Sequence, residues 1–320
     1  MSAPVGRLAP SPTGRLHLGH ARSFLLAWWH LRSRGGRVVL RIEDLDATRL
    51  RPGMVETTLR DLEWLGLDWD AGPFLQSAEP EPAREALARL VAEGRAYPCV
   101  CSRREITAAL SAPHGGGELP YPGTCRGRYG SVQEAEAETG RTAGLRLLVP
   151  PGPVTVEDAF RGPLTHDVQA EVGDFLLARR DGAFAYQLAV VVDDARQGVT
   201  EVLRGDDLAP SAVRQWHVQE ARGLPHPTWI HVPLVVDEDG ERLAKRRGDL
   251  GLSELREAGV DPRAVVAWAA RTSGQEAPDR AFAGEVAGSF DLARLPHEPV
   301  RLGEADVSAL RAARDPSPGR

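Results

Sequence analysis

Apolar positions along the chain change period in a way that predicts alternating strands and helices. Gly6 to Ala9 reads as a short extended piece that runs into the rigid turn Pro10-Ser11-Pro12-Thr13-Gly14. Leu18, Ala21, Leu25, Trp28 and Leu31 then recur every three or four residues, which predicts a helix over Leu18 to Ser33, stopped by Gly35-Gly36. Val38 to Ile42 is a compact β-rich run followed by the acidic Glu43-Asp44-Leu45-Asp46. Strand, turn, helix and strand in this order make a βαβ unit. Such units build a parallel sheet whose ligands sit at the C-terminal ends of the strands.

Farther on, Met54 to Leu65 and Pro82 to Glu93 read as helices, Leu145 to Val149 and Ala183 to Val192 as strands, and Ala209 to Arg222 as a helix. Trp229 to Val236 reads as one strand ending in the turn Asp237-Glu238-Asp239-Gly240, and Leu252 to Thr272 as one helical stretch. Between Cys99 and Tyr129 periodicity fails and Gly, Pro, Cys and Arg accumulate, as in a loop-rich insertion. The last 40 residues have little β character and a Pro/Arg-rich end, so a small helical piece and a frayed tail are expected. No internal repeat is visible.

A chain of 320 residues can bury a sizeable core, in two packed units rather than one. Apolar residues make up 42% and charged residues 26%, ordinary for a globular protein. No apolar run approaches the ~20 residues that span a bilayer, and Met1 to Pro10 lacks a basic segment followed by an apolar one. Neither a membrane span nor a secretory signal is expected, and the location is read as cytoplasmic. A net charge of −6 argues against a general nucleic-acid coat, which draws on basic excess, but leaves room for a local basic face.

Several constellations carry chemistry. His17-Leu18-Gly19-His20 follows the proline-rich turn, so two ring nitrogens and free backbone N–H groups meet at a helix start where an anion can dock. Gly19 permits close approach of a base or phosphate. Glu43, at the end of a strand, is placed to hold a ligand ammonium. An arginine in an apolar site is the usual device for a carboxylate, because its planar fork donates two charge-assisted hydrogen bonds. Arg7 and Arg204 are the candidates. Lys245, in Arg242-Leu243-Ala244-Lys245-Arg246-Arg247 after a β-turn, suits transient phosphate contact. All three cysteines, Cys99, Cys101 and Cys125, fall in the loop-rich window, which suggests a metal before a disulfide. Zinc takes four ligands, and ligand chemistry nominates His114 as the fourth.

The opening Arg7-Leu8-Ala9-Pro10-Ser11-Pro12-Thr13-Gly14, with the His17–His20 motif, resembles the nucleotide-binding signature of class I aminoacyl-tRNA synthetases, specifically the glutamyl group. Arg41-Ile42-Glu43-Asp44-Leu45-Asp46 is close to that family's R-I-E-D-x-D pattern, and Arg242 to Arg247 resembles its K-M-S-K-S loop, with arginine for the first lysine and Ala244 for the serine. The resemblance covers residues 7 to about 272. It implies an α/β Rossmann-type catalytic domain with a parallel sheet, a zinc-binding insertion and a small C-terminal helical region. The expected boundaries are 1–96 for the first half of the Rossmann domain and 97–130 for the zinc insertion. Residues 131–236 complete the insertion and the Rossmann domain, and 237–320 form the K-M-S-K-S-like loop and a helical region.

The same resemblance implies that His17, Gly19, His20 and Lys245 bind ATP, accompanied by Mg2+, with His17, His20 and Lys245 catalytic. It implies that Arg7, Ala9, Ser11, Glu43, Tyr186 and Arg204 bind L-glutamate, with Arg204 on the side-chain carboxylate. Short glutamyl-type synthetases use a tyrosine in their zinc site, which fits Tyr121 beside Cys99, Cys101 and Cys125; His114 stays the rival. Some 48 residues follow Thr272, too few for an anticodon-reading domain of roughly 100 or more. The stretches from Gln187 and from Arg204 resemble a side branch, the glutamyl-Q tRNA(Asp) synthetases. That branch implies a monomeric ligase that activates glutamate without tRNA and transfers it to queuosine in the anticodon of tRNA(Asp). The alternatives are a short glutamyl-tRNA synthetase charging the 3′ end of tRNA(Glu) and, more remotely, a non-catalytic binding protein on the same scaffold.

Overall fold

The computed structural model describes residues 3–109, 120–241, 243 and 251–315. Its first unit is β1 (Val5–Leu8), α1 (Leu18–Arg32), β2 (Arg37–Ile42), α2 (Met54–Trp64) and β3 (Ala71–Leu75), with β1, β2 and β3 side by side and parallel. Helix α1 forms because its apolar positions close nearly the whole circumference: Leu18, Leu25, Leu26 and Trp29 are fully buried. Each such side chain contributes roughly 1.5–3 kcal/mol of burial.

Helix α3 (Glu81–Ala92) leads into a lobe built on the antiparallel strands β4 (Ala96–Cys99), β5 (Gly144–Leu147) and β8 (Leu176–Ala178). Helices α4 (Arg103–Ala109) and α5 (Val132–Thr139) belong to the same excursion. Between β5 and β8 the chain returns to the main body as the hairpin β6 (Val154–Asp158) and β7 (Gly162–His166), followed by the single turn α6 (Val168–Glu171). Then come α7 (Tyr186–Arg196), β9 (Glu201–Gly205), α8 (Ala209–Arg222) and β10 (Thr228–Val232). The second sheet has the order β7-β6-β10-β9, with β9 and β10 parallel.

The two sheets meet along β1 and β9. Thr200 N–H donates to the Val5 carbonyl at 2.8 Å, and Arg7 Nη1 reaches the Leu203 carbonyl at 3.4 Å, so the strands advance in the same direction. One layer therefore runs β3-β2-β1-β9-β10-β6-β7, and the β1–β9 seam is the switch point where ligand clefts open in such sheets. Beyond it lie β11 (Val235–Val236), α9 (Leu252–Glu257), α10 (Pro262–Thr272), α11 (Ala283–Ala287), β12 (Val300–Arg301) and α12 (Glu304–Ala312). The α/β architecture, the parallel sheet and the C-terminal helical piece match the expectation. Among the described residues no helix is long and apolar enough to cross a membrane.

Three local expectations are corrected. Ala183 to Val192 contributes helix α7 from Tyr186 rather than a strand. Leu188 to Asp194 are all buried, and a short run buried on every side has no period that separates helix from strand; packing overrode the β-branched preference of Val190-Val191-Val192. Trp229 to Val236 is two strands in different sheets, broken at Pro233, with β11 pairing to β12. Leu252 to Thr272 is two helices: Gly259 ends one turn, and Asp261, accepting from Arg263 N–H at 3.0 Å, caps the next with Pro262 at its first position.

Candidate functional site

A cavity of about 740 Å³ opens over the strand ends, lined among others by Arg7, Ala9, Ser11, His17, Gly19, His20, Glu43, Tyr186 and Arg204. All the described residues expected at the nucleotide and the amino acid thus share one cleft. The histidines cap α1 reciprocally. His17 Nδ1 accepts from Gly19 N–H at 3.1 Å, and His20 Nδ1 accepts from His17 N–H at 3.2 Å, with the rings 3.8 Å apart. With both Nδ1 atoms accepting, a neutral ring carries its proton on Nε2. Gly19 packs tightly under His17: a Cβ there would sit 3.0 Å from the ring's Cε1 and press on the ring. The motif is therefore a self-locked pair of Nε2–H donors at a helix N-terminus, the positive end of its dipole.

Behind Glu43 and Arg7, which line the cavity, lies a set of buried charges. Glu43 follows β2 directly and is tied to the turn after β1 by its N–H to the Pro10 carbonyl at 3.0 Å. Arg41, fully buried, donates to Glu43 at 3.2 Å and to Gln197 at 2.8 Å, and pairs with Asp194 at 2.8 Å. Asp194 also lies 3.6 Å from Arg7 Nε. Burial raises the pKa of Glu43, with Arg41 and Arg7 opposing. Burial alone would weaken the charge on Arg41, but the carboxylates of Asp194, Glu43 and Asp193 more than reverse this. The sequence alone assigns no role to Arg41, although it opens the R-I-E-D-x-D pattern, nor to Asp193, Asp194, Gln197 and His231. Asp193 and Asp194 join the site because α7 is a helix that carries Tyr186 at its start and these carboxylates near its end.

Arg204 is nearly fully buried on β9. It donates through Nε to His231 Nε2 at 3.0 Å, through Nη1 to the Tyr186 hydroxyl at 3.3 Å and through Nη2 to the Leu208 carbonyl at 3.2 Å, and its guanidinium lies 4.9 Å from the centre of the Trp229 ring. Of its five N–H donors, two find no partner among the described residues. A buried guanidinium with donors to spare, beside Arg7 on the adjacent strand, is built for an anion.

In the lobe, the sulfurs of Cys99, Cys101 and Cys125 lie within 4.8 Å of one another. The Tyr121 hydroxyl is 3.4 Å from Cys99 Sγ and 3.8 Å from Cys101 Sγ, and it accepts from Cys125 N–H at 2.8 Å. Tyr121 is held there by Val172 through a backbone bond of 2.8 Å, next to a glycine, Gly173, whose Cβ would lie 2.3 Å from the Tyr121 carbonyl oxygen. Three soft sulfurs and one oxygen converging on one point suit a tetrahedral ion such as zinc. His114 and the catalytic candidate Lys245 lie outside the described residues.

A family model described as "tRNA synthetases class I (E and Q), catalytic domain" matches residues 5–300. The chain is 48% identical to a glutamyl-Q tRNA(Asp) synthetase of Symbiobacterium thermophilum, covering 95% of this chain and 98% of that protein. It is 50% identical to a protein of the same name from Deinococcus radiodurans over 84% and 88% of the two chains. A glutamate–tRNA ligase 2 of Halorhodospira halophila is 39% identical over 91% of this chain and 61% of its own length. Among solved structures, a glutamate tRNA ligase from Elizabethkingia meningosepticum, in complex with its amino acid, superposes with a TM-score of 0.78 at 22% identity, covering 95% of this chain and 68% of that one.

Proposed function

The chain belongs to the catalytic-domain family of class I glutamyl and glutaminyl tRNA synthetases, and from this premise we propose that it activates L-glutamate with ATP and passes the glutamyl group to queuosine in the anticodon of tRNA(Asp). The observation that carries the amino-acid part is the pairing of Arg7 and Arg204 at adjacent strand ends with Glu43 in the same cleft. Two guanidinium groups and one carboxylate complement a substrate with two carboxylates and one ammonium. Glu43 takes the ammonium, Arg204 with Tyr186 the side-chain carboxylate, and Arg7, with Ala9 and Ser11 beside it, the rest of the amino acid.

In the activation step the α-carboxylate of glutamate attacks the α-phosphorus of ATP, and pyrophosphate leaves. Negative charge accumulates on the phosphoryl oxygens, so donors fixed before the reaction lower the barrier most. The Nε2–H groups of His17 and His20, with Lys245 of the K-M-S-K-S-like segment, are those donors, and Mg2+ accompanies the triphosphate. The acceptor base then attacks the carbonyl carbon of glutamyl-AMP, and AMP leaves. Cys99, Cys101, Tyr121 and Cys125 would hold one zinc ion, which supplies a structural cross-link and no catalytic step.

The acceptor is supported by the 48% identity to the Symbiobacterium protein across nearly its full length. The test incubates the protein with labelled glutamate, ATP and either tRNA(Asp), with and without queuosine, or tRNA(Glu). Label is expected on queuosine-containing tRNA(Asp) alone, and glutamate-dependent exchange of pyrophosphate into ATP is expected without any tRNA. Label on tRNA(Glu) alone would establish the ligase reading that the Halorhodospira relative represents.

A further inference from the structure

Arg204 is held from behind by a buried pair that the reaction as described does not use. Its Nε donates to His231 Nε2 at 3.0 Å, and on the other side of the ring Nδ1 lies 2.6 Å from Asp158 Oδ2. His231 is fully buried and Asp158 is 4% exposed. An arginine Nε can only donate, so His231 Nε2 must accept, and the ring's proton must sit on Nδ1, facing Asp158.

Asp158 is equally constrained. Its Oδ1 accepts from the N–H groups of Phe160 at 2.9 Å and Arg161 at 2.7 Å, and its Oδ2 accepts from His231 N–H at 3.0 Å as well as from the ring. Burial would raise its pKa, but these bonds bring it below the usual carboxylate range. Burial pushes His231 toward the neutral form, with Asp158 opposing and Arg204 reinforcing. The pair thus has one arrangement: an ionised carboxylate, an Nδ1–H imidazole and an acceptor aimed at Arg204. The contacts of Arg204 with Tyr186 and Leu208 act on its outer nitrogens, whereas His231 grips the nitrogen next to the stem and so sets the plane of the fork.

We propose that Asp158 and His231 are positioning residues that set the affinity for the substrate's side-chain carboxylate, by fixing the tautomer that orients the Arg204 guanidinium. This rests on the reading that Arg204 binds glutamate. Asp158→Asn makes the sharpest variant, because it changes one atom. If the amide NH2 faces the ring, the histidine proton must move to Nε2, where it opposes the Arg204 Nε–H. If the NH2 faces the other way, it opposes the N–H groups of Phe160 and Arg161.

Glutamate-dependent pyrophosphate exchange on the full chain is the test. Asp158→Asn and His231→Leu are expected to raise KM for glutamate at least ~10-fold, the scale of a charge-assisted bond, while KM for ATP stays within about twofold. His231→Gln, whose amide oxygen can accept from Arg204, is expected to recover at least half of that loss on a logarithmic scale. A glutamate KM within about twofold of wild type in Asp158→Asn would overturn the proposal. The ring tautomer can also be read directly in the unmodified protein from 15N shifts: Nδ1–H is expected, and Nε2–H would overturn the proposal whatever the variants do. Arg204→Lys separates the two levels of inference. If its glutamate KM is unchanged, the role of Arg204 falls; if it rises while that of Asp158→Asn does not, the positioning pair falls.

Discussion

The cleft and the thiol lobe both gather polar donors from distant parts of the chain, but they rest on very different foundations. The cleft stands on the main core, where Leu8, Leu18, Leu25, Trp29, Leu40 and Ile42 are fully buried beneath the strand ends. Its charges neutralise one another through Arg41, Glu43, Asp194 and Arg7 before any ligand arrives. Around the thiols the donors are part of the local core, the buried cluster of Tyr97, Cys99, Val100, Tyr121, Cys125, Tyr129 and Ala135, while the lobe's strands place Ala96, Leu147, Leu177 and Ala178 in the larger second core. The small cluster at the thiols contributes little to ordering the segment around it, and a metal held by these thiols would supply the cross-link proposed above. A site on a large sheet is organised by the fold, whereas one in a small excursion organises its own fold.

The largest effect expected from breaking this contrast is at the phosphates. Lys245→Ala or His20→Ala should slow adenylate formation at least ~100-fold, about 2.7 kcal/mol of transition-state stabilisation, with the metal content unchanged; a loss under fivefold would remove these residues from catalysis. Glu43→Gln comes next. Only the ionised carboxylate holds an ammonium, so KM for glutamate should rise about 30-fold. In the unmodified protein that KM should also climb as pH falls through the raised pKa of Glu43, above the window of an ordinary carboxylate. A glutamine variant that kept the same pH profile would show that another group titrates.

On the lobe side, elemental analysis should find about one equivalent of zinc. Tyr121→Phe should weaken its binding by at least ~10-fold, the lower end of what loss of even a supporting partner of a ligand costs, while glutamate activation stays within a few-fold; an unchanged affinity would point to His114 instead. The smallest effect lies in the frame under the cleft. Glu201 joins β9 to α1 and the turn after it through His30 at 3.0 Å and Arg34 at 2.9 Å. Burial opposes its ionisation, but those two partners bring its pKa down to about 2. A depressed carboxylate stabilises the fold above its unfolded pKa and loses that contribution as pH drops. Thermal stability should therefore fall between about pH 4.5 and pH 2, and Glu201→Gln should remove about 1 kcal/mol at neutral pH; a flat acid limb in calorimetry would exclude this role.

Much of this was legible in the chain. Strand β1, helix α1 and strand β2 could be read because period, turn and helix stop agree locally. Arg7, His17, His20, Glu43, Tyr186 and Arg204 could be nominated because their motifs are short and contiguous. What could not be read was set by contacts far along the chain. Gln197 meets Arg41 across 156 residues, and Asp158 meets His231 across 73. Arg41 lies in a recognisable motif, but nothing beside Gln197 or Asp158 in the chain marks either as a partner.

By itself the sequence determined which residue types were available and at which strand ends and helix starts they would stand, because spacing and backbone chemistry are local. Tertiary structure alone decided that Val190 to Val192 lie in a helix, that β1 and β9 run side by side so that Arg7 and Arg204 share a cleft, and that the Tyr121 hydroxyl reaches the thiols. Burial on all sides erases periodicity, and the pairing of distant strands depends on which apolar faces pack together. Both are properties of the assembled core.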